Sequence, residues 1–473
     1  MKNQSSVFII IAAVIFVVLF CAAVMLTGLL SALSIALVII LAGLIIAKFV
    51  KEISSKQDAK IPEDEFSTAD LLTAKLLPAK PSKRDKRMDY LRIVCFILII
   101  RIATYIFAYI TSLKTGITED SFFGSFNKIW LNMGTDASHY IGIAENWYVT
   151  EGDPMYHIVF FPLFPIMIKL FSFVFRDMLL SAVMVTTVFS CGAGLAAYEL
   201  CLLDFDRKTA LRFVKYMFII PAAFFYCAPM TESLFIFLCL MCIYFARKNS
   251  FLLCAVFGSL AAFTRSQGAI LMLPCAIIAL TDTVKAYRND KKLLWKKLIS
   301  RWACVLLIAS GLLAYLGINY AVWGNALQFS VFQKEHWFQS FGFFFNTANM
   351  IGEYLLGNLT NARAPLWSDD SFRMAVSLWL PQLIYISASL IIMIFAVKKL
   401  KSAYTAFFAA YFIISIGATW LLSAPRYLMA VFSLPMALAC LSDSKKKDLI
   451  ATVTCLVAGS SYLWMYAASS AIY

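Results

Sequence analysis

The segment 133–140 reads MGTDASHY and places an aspartate and a histidine three residues apart in a chain that elsewhere avoids charge. On a helix, Asp136 and His139 share one face because residues i and i+3 are neighbours there. A carboxylate whose pKa is tuned by its surroundings can act as a general base toward a hydroxyl group. Two other roles remain open: Asp136 can be the N-cap of the helix that follows it, or the pair can supply two ligands of a divalent metal ion, although no third ligand stands at helical spacing.

Arginines flank several apolar runs. Arg265 lies in LAAFTRSQGAILMLP, Arg426 lies in SAPRYLMAVFSLP, and Arg363 and Arg373 lie near ARAPLWSDD. A charge at such a position either snorkels to the membrane interface or meets an anion. Because a guanidinium fork matches the oxygens of a phosphate group, the arginines together predict a phosphate site.

Two further polar stretches interrupt the apolar pattern. The turn PMTESLF contains Glu232, and FSVFQKEHWFQSFGFF contains Gln333, His336 and Trp337. Helix initiation explains the first stretch, with Glu232 in the first turn, and a membrane-interface belt explains the tryptophan. Contact with a substrate is the alternative for both stretches.

These residues must be positioned by membrane-spanning helices. The 473 residues have a mean hydropathy of +0.79, with 62% hydrophobic and 14% charged residues, which excludes a soluble globular domain. The apolar runs do not alternate as barrel strands do, and they predict an all-α polytopic integral membrane protein with about thirteen spans. The net charge of +14 lies in short clusters between the runs, which indicates the positive-inside pattern rather than nucleic-acid binding. The twelve cysteines fall inside apolar stretches, so Cys239 and Cys242 are interpreted as packing residues.

Counting the predicted spans divides the chain into three regions. It also places two long loops of the third region on the extracytoplasmic side. We treat residues 160–175 as a segment at the membrane interface, because every strongly basic cluster then lies on the cytoplasmic side. All three histidines then lie in the two outer loops. The predicted regions are an N-terminal transmembrane hairpin (1–50), a cytoplasmic Lys-rich linker (51–89) and the main transmembrane domain (90–473), with outer loops at 113–156 and 323–374.

The polar stretches, taken in order, resemble a known family. The chain has TDASHYIGIAENWY, FFPLFP, TES, TRSQG, FQKEHWFQSFGFF and APRY. This ordered set is similar to the PIG-V type mannosyltransferases, which add the second mannose in GPI-anchor synthesis and have bacterial relatives. The resemblance covers about residues 90–440. Thr135 replaces the usual tryptophan before the aspartate, and the N-terminal hairpin and linker have no counterpart.

The resemblance implies a GT-C type helical bundle whose two outer loops contain interfacial helices. It implies an inverting glycosyltransferase that moves a hexose, with mannose as the first candidate, from a polyprenyl-phosphate sugar to a lipid-linked or cell-envelope glycan. Matched to the motifs, Asp136 is the expected catalytic base. The arginines expected to bind the donor phosphate are Arg265, Arg426 and Arg363. The residues expected to bind or orient the acceptor are His139, Tyr140, Glu232, Gln333, His336 and Trp337.

The expected partners are the donor, a glycan or glycolipid acceptor and the lipid bilayer, with no nucleic acid. No cofactor is expected, and a divalent metal has no support beyond the Asp136 and His139 pair. The location expected is a bacterial plasma membrane with the site facing outside, or the ER membrane with a lumenal site if the protein is eukaryotic. The competing class is a transporter or a lipid-linked sugar flippase, which predicts internal repeats and ionisable residues at the bilayer midplane, and we find no repeat.

Overall fold

The computed structural model describes residues 28–54, 81–131, 135–289, 294–366 and 369–468. Over these residues the chain is helical and contains no strand, and one isolated bridge pairs Phe341 with Ala418. The first apolar run of the predicted hairpin (7–26) and residues 55–80 of the predicted linker lie outside the described residues. The two ends of the linker are helical, since residues 51–54 continue one helix and the next helix begins at Lys83.

The helices are numbered here in chain order. They are α1 Leu29–Ser54, α2 Lys83–Thr115, α3 Phe122–Leu131, α4 Ala137–Asn146, α5 Leu163–Phe175, α6 Met178–Cys201, α7 Arg207–Ile219, α8 Glu232–Arg247, α9 Phe251–Thr264, α10 Met272–Asn289, α11 Leu294–Leu307, α12 Ser310–Trp323, α13 Gln328–Glu335, α14 Phe344–Asn361, α15 Asp370–Met374, α16 Leu380–Ala396, α17 Ser402–Ile416, α18 Ala424–Met429, α19 Ser433–Leu441 and α20 Lys445–Ala467. Three 3-10 turns, Asp153–Val159, Ala223–Tyr226 and Ser266–Leu271, and a π-helical turn, Ala375–Trp379, connect some of them.

Seven helical stretches of the described chain are long and apolar enough to cross a membrane. They are Leu29–Ser54, Lys83–Thr115, Met178–Cys201, Ser266–Val284, Leu298–Trp323, Asp370–Ala396 and Lys445–Ala467. Together with the composition, these helices identify an integral membrane protein. The pair Asp153–Val159 and Leu163–Phe175 would add an eighth span, but it is bent by 110°.

The predicted count of about thirteen spans is not confirmed. Several of the apolar runs form shorter helices, among them α8 with 16 residues, α9 with 14 and α17 with 15. Most side chains of α8 are buried against neighbouring helices. An apolar run therefore indicates burial in protein as well as burial in lipid, and the sequence pattern alone does not separate the two.

Ion pairs define one end of the helical bundle, which we call the basic end. There Lys86 pairs with Glu199 at 2.8 Å and Arg247 pairs with Asp204 at 2.5 Å. Helices α2 and α6 run antiparallel, since Lys86 meets Glu199 at this end while Arg101 donates to Thr186 midway along both helices. The chain from residue 116 to residue 177 therefore begins and ends at the opposite end, which we call the loop end. The side of the membrane that each end faces stays a prediction.

The helix α1 packs into the main body rather than standing apart from it. Near its N-terminus, Ser31 Oγ donates to the carbonyl of Phe345 at 2.8 Å. At the basic end, Ser402 donates to Glu52 from both its backbone nitrogen and its hydroxyl group, at 3.1 and 2.6 Å. The second helix of the predicted hairpin is thus part of the bundle, and its glutamate caps the start of α17.

Candidate active site

A cavity of about 760 Å³ lies toward the loop end of the bundle. Residues of α4, the segment 159–161, residues 264–267, α13 with the loop that follows it, and residues 414–427 form its wall. The lining side chains include Asp136, Tyr140, Phe160, Arg265, Gln267, Gln333, Lys334, Trp337, Gln339, Ser423, Arg426 and Tyr427. A volume of this size is typical of small-molecule sites.

Short helices bring the charged residues of the cavity together. Glu232 begins α8, and Arg265 follows the last residue of α9. After Arg265 the chain turns back onto α9, so closely that a Cβ atom on Gly268 would lie 2.2 Å from the carbonyl carbon of Ala261. Glycine is therefore required there, which accounts for the last residue of the TRSQG motif. Arg426 lies in the short helix α18, whose first turn contains a proline.

Four of these residues form a connected group that we call the four-charge cluster: Asp136, Glu232, Arg265 and Arg426. Glu232 is fully buried, and its Oε1 atom accepts from Arg265 Nη1 at 2.8 Å and from Arg426 Nε at 2.6 Å. Arg426 Nη1 also pairs with Asp136 Oδ2 at 2.5 Å. Two carboxylates and two guanidinium groups cancel, so the cluster has no net charge.

The two arginines remain cationic despite their burial. Burial alone would lower the pKa of Arg426, but the carboxylates of Asp136 and Glu232 raise it well above its ordinary value. Arg265 also lies over the ring of Tyr427, with 5.1 Å from its guanidinium carbon to the ring centroid. The ring face stabilises the cation without neutralising it.

Asp136 occupies the N-cap position of α4, but its side chain makes no capping hydrogen bond. The carboxylate instead points to Arg426 and lines the cavity. Its side chain is 30% exposed, whereas the side chain of Glu232 is 0% exposed. Asp136 is therefore the carboxylate of the cluster that a molecule in the cavity can reach.

Aromatic rings form one wall beside the cluster. His139 lies 3.0 Å from His157 between ring nitrogens, stacks on Phe160 and meets the edge of Trp337. Burial lowers the pKa of His139 below its ordinary value, although the negative charge of Asp136 partly opposes that shift. Burial thus favours the neutral form of His139, and between two neutral imidazoles at hydrogen-bond distance one ring is the donor and the other the acceptor.

The structure brings most of the predicted site residues together. Tyr140 and Gln333 line the cavity, and Gln333 donates to Gln339 at 2.6 Å. Glu232 lies behind the two guanidinium groups and does not line the cavity. His336 stacks on Tyr156 with centroids 3.7 Å apart, and it lies off the cavity wall.

Arg363 is separated from the other predicted arginines. It is exposed in the loop after α14, next to Asp369, and does not line the cavity. Of the three arginines predicted to bind phosphate, Arg265 and Arg426 are thus the two that share one site.

Some lining residues were not predicted. Lys334 is exposed at the cavity and has no acidic partner in the described part of the chain. Gln267 and Tyr427 follow Arg265 and Arg426 closely in the sequence. Each of these three residues lies within two positions of a predicted site residue in one of the motifs, which is the signal that could have found them.

A possible metal site lies elsewhere in the structure. Cys242, Cys254 and Cys275 come from three helices, and their sulfur atoms lie 3.4 to 3.6 Å apart in the protein interior. They form the one group of three potential ligands found among the described residues. Asp136 and His139, the predicted metal pair, do not form such a group of three with His157 or with any other described residue.

Comparison with known proteins finds similarity in solved structures but none in sequence families or curated proteins. No family model matches the sequence, and no curated protein matches it. One similar solved structure is the archaeal oligosaccharyltransferase AglB from Archaeoglobus fulgidus in complex with an inhibitory peptide and a dolichol-phosphate, with a TM-score of 0.36, 11% identity, and coverage of 79% of this chain and 56% of that chain. The apo form of the Archaeoglobus fulgidus oligosaccharyltransferase has a TM-score of 0.33 at the same identity and coverage. This chain thus spans little more than half the length of these structures, and the resemblance to PIG-V type mannosyltransferases stays a prediction.

Proposed function

We propose that this protein is a membrane-embedded, inverting glycosyltransferase of the GT-C type. It transfers a hexose, with mannose as the first candidate, from a polyprenyl-phosphate sugar to a lipid-linked or cell-envelope glycan. The observation that carries the proposal is the cavity in which the carboxylate of Asp136 lies beside two buried guanidinium groups. A carboxylate can take a proton from an acceptor hydroxyl, and guanidinium groups can hold a phosphate.

The proposed reaction is a single displacement. The oxygen of an acceptor hydroxyl forms a bond to the anomeric carbon of the donor sugar, and Asp136 takes the proton of that hydroxyl. The bond between the anomeric carbon and the phosphate oxygen breaks, and its electron pair leaves with the polyprenyl phosphate. Arg265 and Arg426 stabilise the negative charge of the leaving group, which needs no protonation. Attack from the face opposite the phosphate inverts the anomeric configuration.

The wall of the cavity suits a sugar. Phe160 and Trp337 present apolar ring surface, while Gln333 and Tyr140 present polar groups at the same cavity. A sugar has apolar C–H faces and a polar rim of hydroxyl groups, so both kinds of surface have a counterpart on the ligand. We propose that these residues orient the acceptor, and that His139 holds Trp337 and Phe160 in place.

A flippase is the competing class, and the floor of the cavity argues against it. Three members of the four-charge cluster line one side of the cavity, which we call its floor, and from Glu232 behind them the mostly buried helix α8 runs toward the basic end. A flippase needs a path for a polar headgroup from one end of the bundle to the other. Translocation of a sugar lipid by the protein in liposomes, without transfer of the sugar, would support the competing class.

Sugar transfer by the purified full chain tests the proposal. Radiolabelled polyprenyl-phosphate hexoses are offered with a membrane lipid extract as the acceptor source. We expect transfer from at least one donor by the wild type and its loss in Asp136→Asn. The matched control is Asp153→Asn, because Asp153 is exposed, lies at the same end of the bundle and does not line the cavity. Transfer that survives in folded Asp136→Asn removes Asp136 as the base, and no transfer from any donor contradicts the proposed function.

A further inference from the structure

In the structure, Arg426 and Asp136 are paired with each other, and this pairing competes with the role proposed for each of them. As a phosphate ligand, Arg426 must present N–H groups to the donor, yet its Nη1 atom is paired with Asp136 and its Nε atom with Glu232. As a base, Asp136 must face the acceptor hydroxyl, yet its Oδ2 atom lies 2.5 Å from Arg426. A phosphate that binds the Nη1 side of Arg426, which faces the cavity beside Asp136, therefore has to replace Asp136 there.

The two carboxylates bound to Arg426 differ in how easily they can be displaced. Glu232 is 0% exposed and is bound by both arginines through one oxygen atom. Moving it would leave buried Arg265 without a carboxylate partner and buried Arg426 with Asp136 alone, which is strongly unfavourable. Asp136 is 30% exposed, lines the cavity and makes no capping hydrogen bond to its own helix. Asp136 is thus the partner that can turn toward solvent when a stronger anion arrives.

We propose that the donor phosphate displaces Asp136 from Arg426, and that this displacement frees Asp136 to act as the base. In the resting cluster, Asp136 serves as an internal stand-in for the phosphate and keeps the buried guanidinium neutralised. A phosphate with several acceptor oxygens takes over the N–H groups that Asp136 leaves. The inference rests on the proposed function, because it assigns the order of events at that same site.

Two consequences follow from the exchange. The donor binds first, since the acceptor hydroxyl meets a free carboxylate only after the phosphate has taken Arg426. Donor binding is also weakened by the competition, because the phosphate must replace an existing ion pair. Removing the charge of Asp136 should therefore tighten binding of the phosphate while it abolishes turnover.

The test measures binding of a ligand that cannot be turned over. Farnesyl phosphate has the polyprenyl-phosphate headgroup and no sugar, so its affinity reports the phosphate site alone. We expect Asp136→Asn to bind it about tenfold more tightly than the wild type, and Asp153→Asn to bind it as the wild type does. Asparagine is an effective N-cap residue, so the start of α4 is preserved. If Asp136→Asn does not fold, Asp136→Ser makes the same removal of charge with another N-cap residue.

The outcomes separate this inference from the proposed function. Equal or weaker binding by the neutral variants overturns the exchange, even if the wild type transfers sugar. Tighter binding by Asp136→Asn or Asp136→Ser supports it, even if no sugar donor is ever turned over. If the wild type transfers sugar, dead-end inhibition by farnesyl phosphate should be competitive with the donor and should not be competitive with the acceptor. Acceptor binding that precedes donor binding overturns the proposed order.

Discussion

Glu232→Gln is the substitution that tests the four-charge cluster most directly. The glutamine side chain has almost the same volume and keeps a carbonyl oxygen for the two arginines, but it has no charge. In the wild type, Glu232 Oε1 accepts two charge-assisted hydrogen bonds, at 2.8 and 2.6 Å. The other oxygen, Oε2, is buried without a hydrogen-bond partner, so the amide nitrogen that replaces it gains none. We therefore expect a loss of stability that comes from charge and hydrogen bonding rather than from packing.

The size of this loss follows from the contacts. Both arginines stay charged, so the two bonds to the amide oxygen are weakened and not lost; the difference between a bond to a charged group, about 1.5–3 kcal/mol, and a neutral one, about 1 kcal/mol, sets an upper limit of about 1–4 kcal/mol for the pair. An orphaned buried N–H group adds about 1–3 kcal/mol. Breaking a buried ion pair costs about 3–5 kcal/mol in other proteins, which lies within the sum of these two contributions. With an unfolding entropy of about 2.1 cal/mol/K per residue, a loss of about 3–5 kcal/mol in a chain of this length lowers the melting temperature by about 3–5 °C.

The assay is thermal unfolding in detergent, followed with a thiol-reactive fluorophore. Most of the cysteines in the described chain are buried, so the dye reports loss of the helical core. The matched control is Glu151→Gln, the same substitution at an exposed residue toward the loop end. A melting temperature of Glu232→Gln equal to that of Glu151→Gln would refute the reasoning, because it would mean that the buried charge stabilises nothing.

Three further predictions follow from other features. The folded state holds His139 at a lowered pKa, so it binds fewer protons than the unfolded state below about pH 6.5. The stability of the fold should therefore decrease as the pH drops through that value. His139→Gln should reduce this decrease, measured as the difference between the melting temperatures at pH 5 and pH 7. A Cβ on Gly311 would lie 1.8 Å from the carbonyl oxygen of Ser259, whereas one on Gly317 meets nothing within 4 Å. Gly311→Ala should therefore lower the melting temperature by several degrees and Gly317→Ala should not, and equal melts would contradict the packing of α12 on α9. Lys334→Gln should weaken binding of farnesyl phosphate about twofold to fivefold and reduce the sensitivity of binding to salt, and unchanged affinity would place Lys334 outside the site.

The membrane class could be predicted from the sequence because hydropathy is a local property. The number of spans could not, because an apolar run does not record what covers it. Helix α8 is apolar because protein surrounds it, whereas α2 is apolar and largely exposed on the bundle surface. The packing of α1 was also missed, since the contact between Glu52 and Ser402 joins residues 350 positions apart.

The members of the site could be predicted more readily than their connections. Asp136, Arg265 and Arg426 are charges in apolar surroundings, and such residues are conspicuous in a membrane protein. Their mutual neutralisation through Glu232 depends on three-dimensional contact, and no spacing in the sequence encodes it. Arg363 shows the opposite limit, because its residue type fits a phosphate ligand but the sequence does not tell that its side chain is not part of the cavity wall.

The shortness of α8 has a consequence for how reaction rates should be expressed. Its 16 residues extend about 24 Å from the basic end, less than the roughly 30 Å of a bilayer core. If Arg247, at the end of α8, lies at the level of one headgroup layer, the floor of the cavity lies below the opposite layer, and the proposed lipid-linked donor would reach it while its chain stays in the bilayer. Encounter becomes a two-dimensional process. The rate should follow the mole fraction of donor lipid in the micelle or membrane and should fall on dilution with inert detergent, at constant donor molarity in the whole sample.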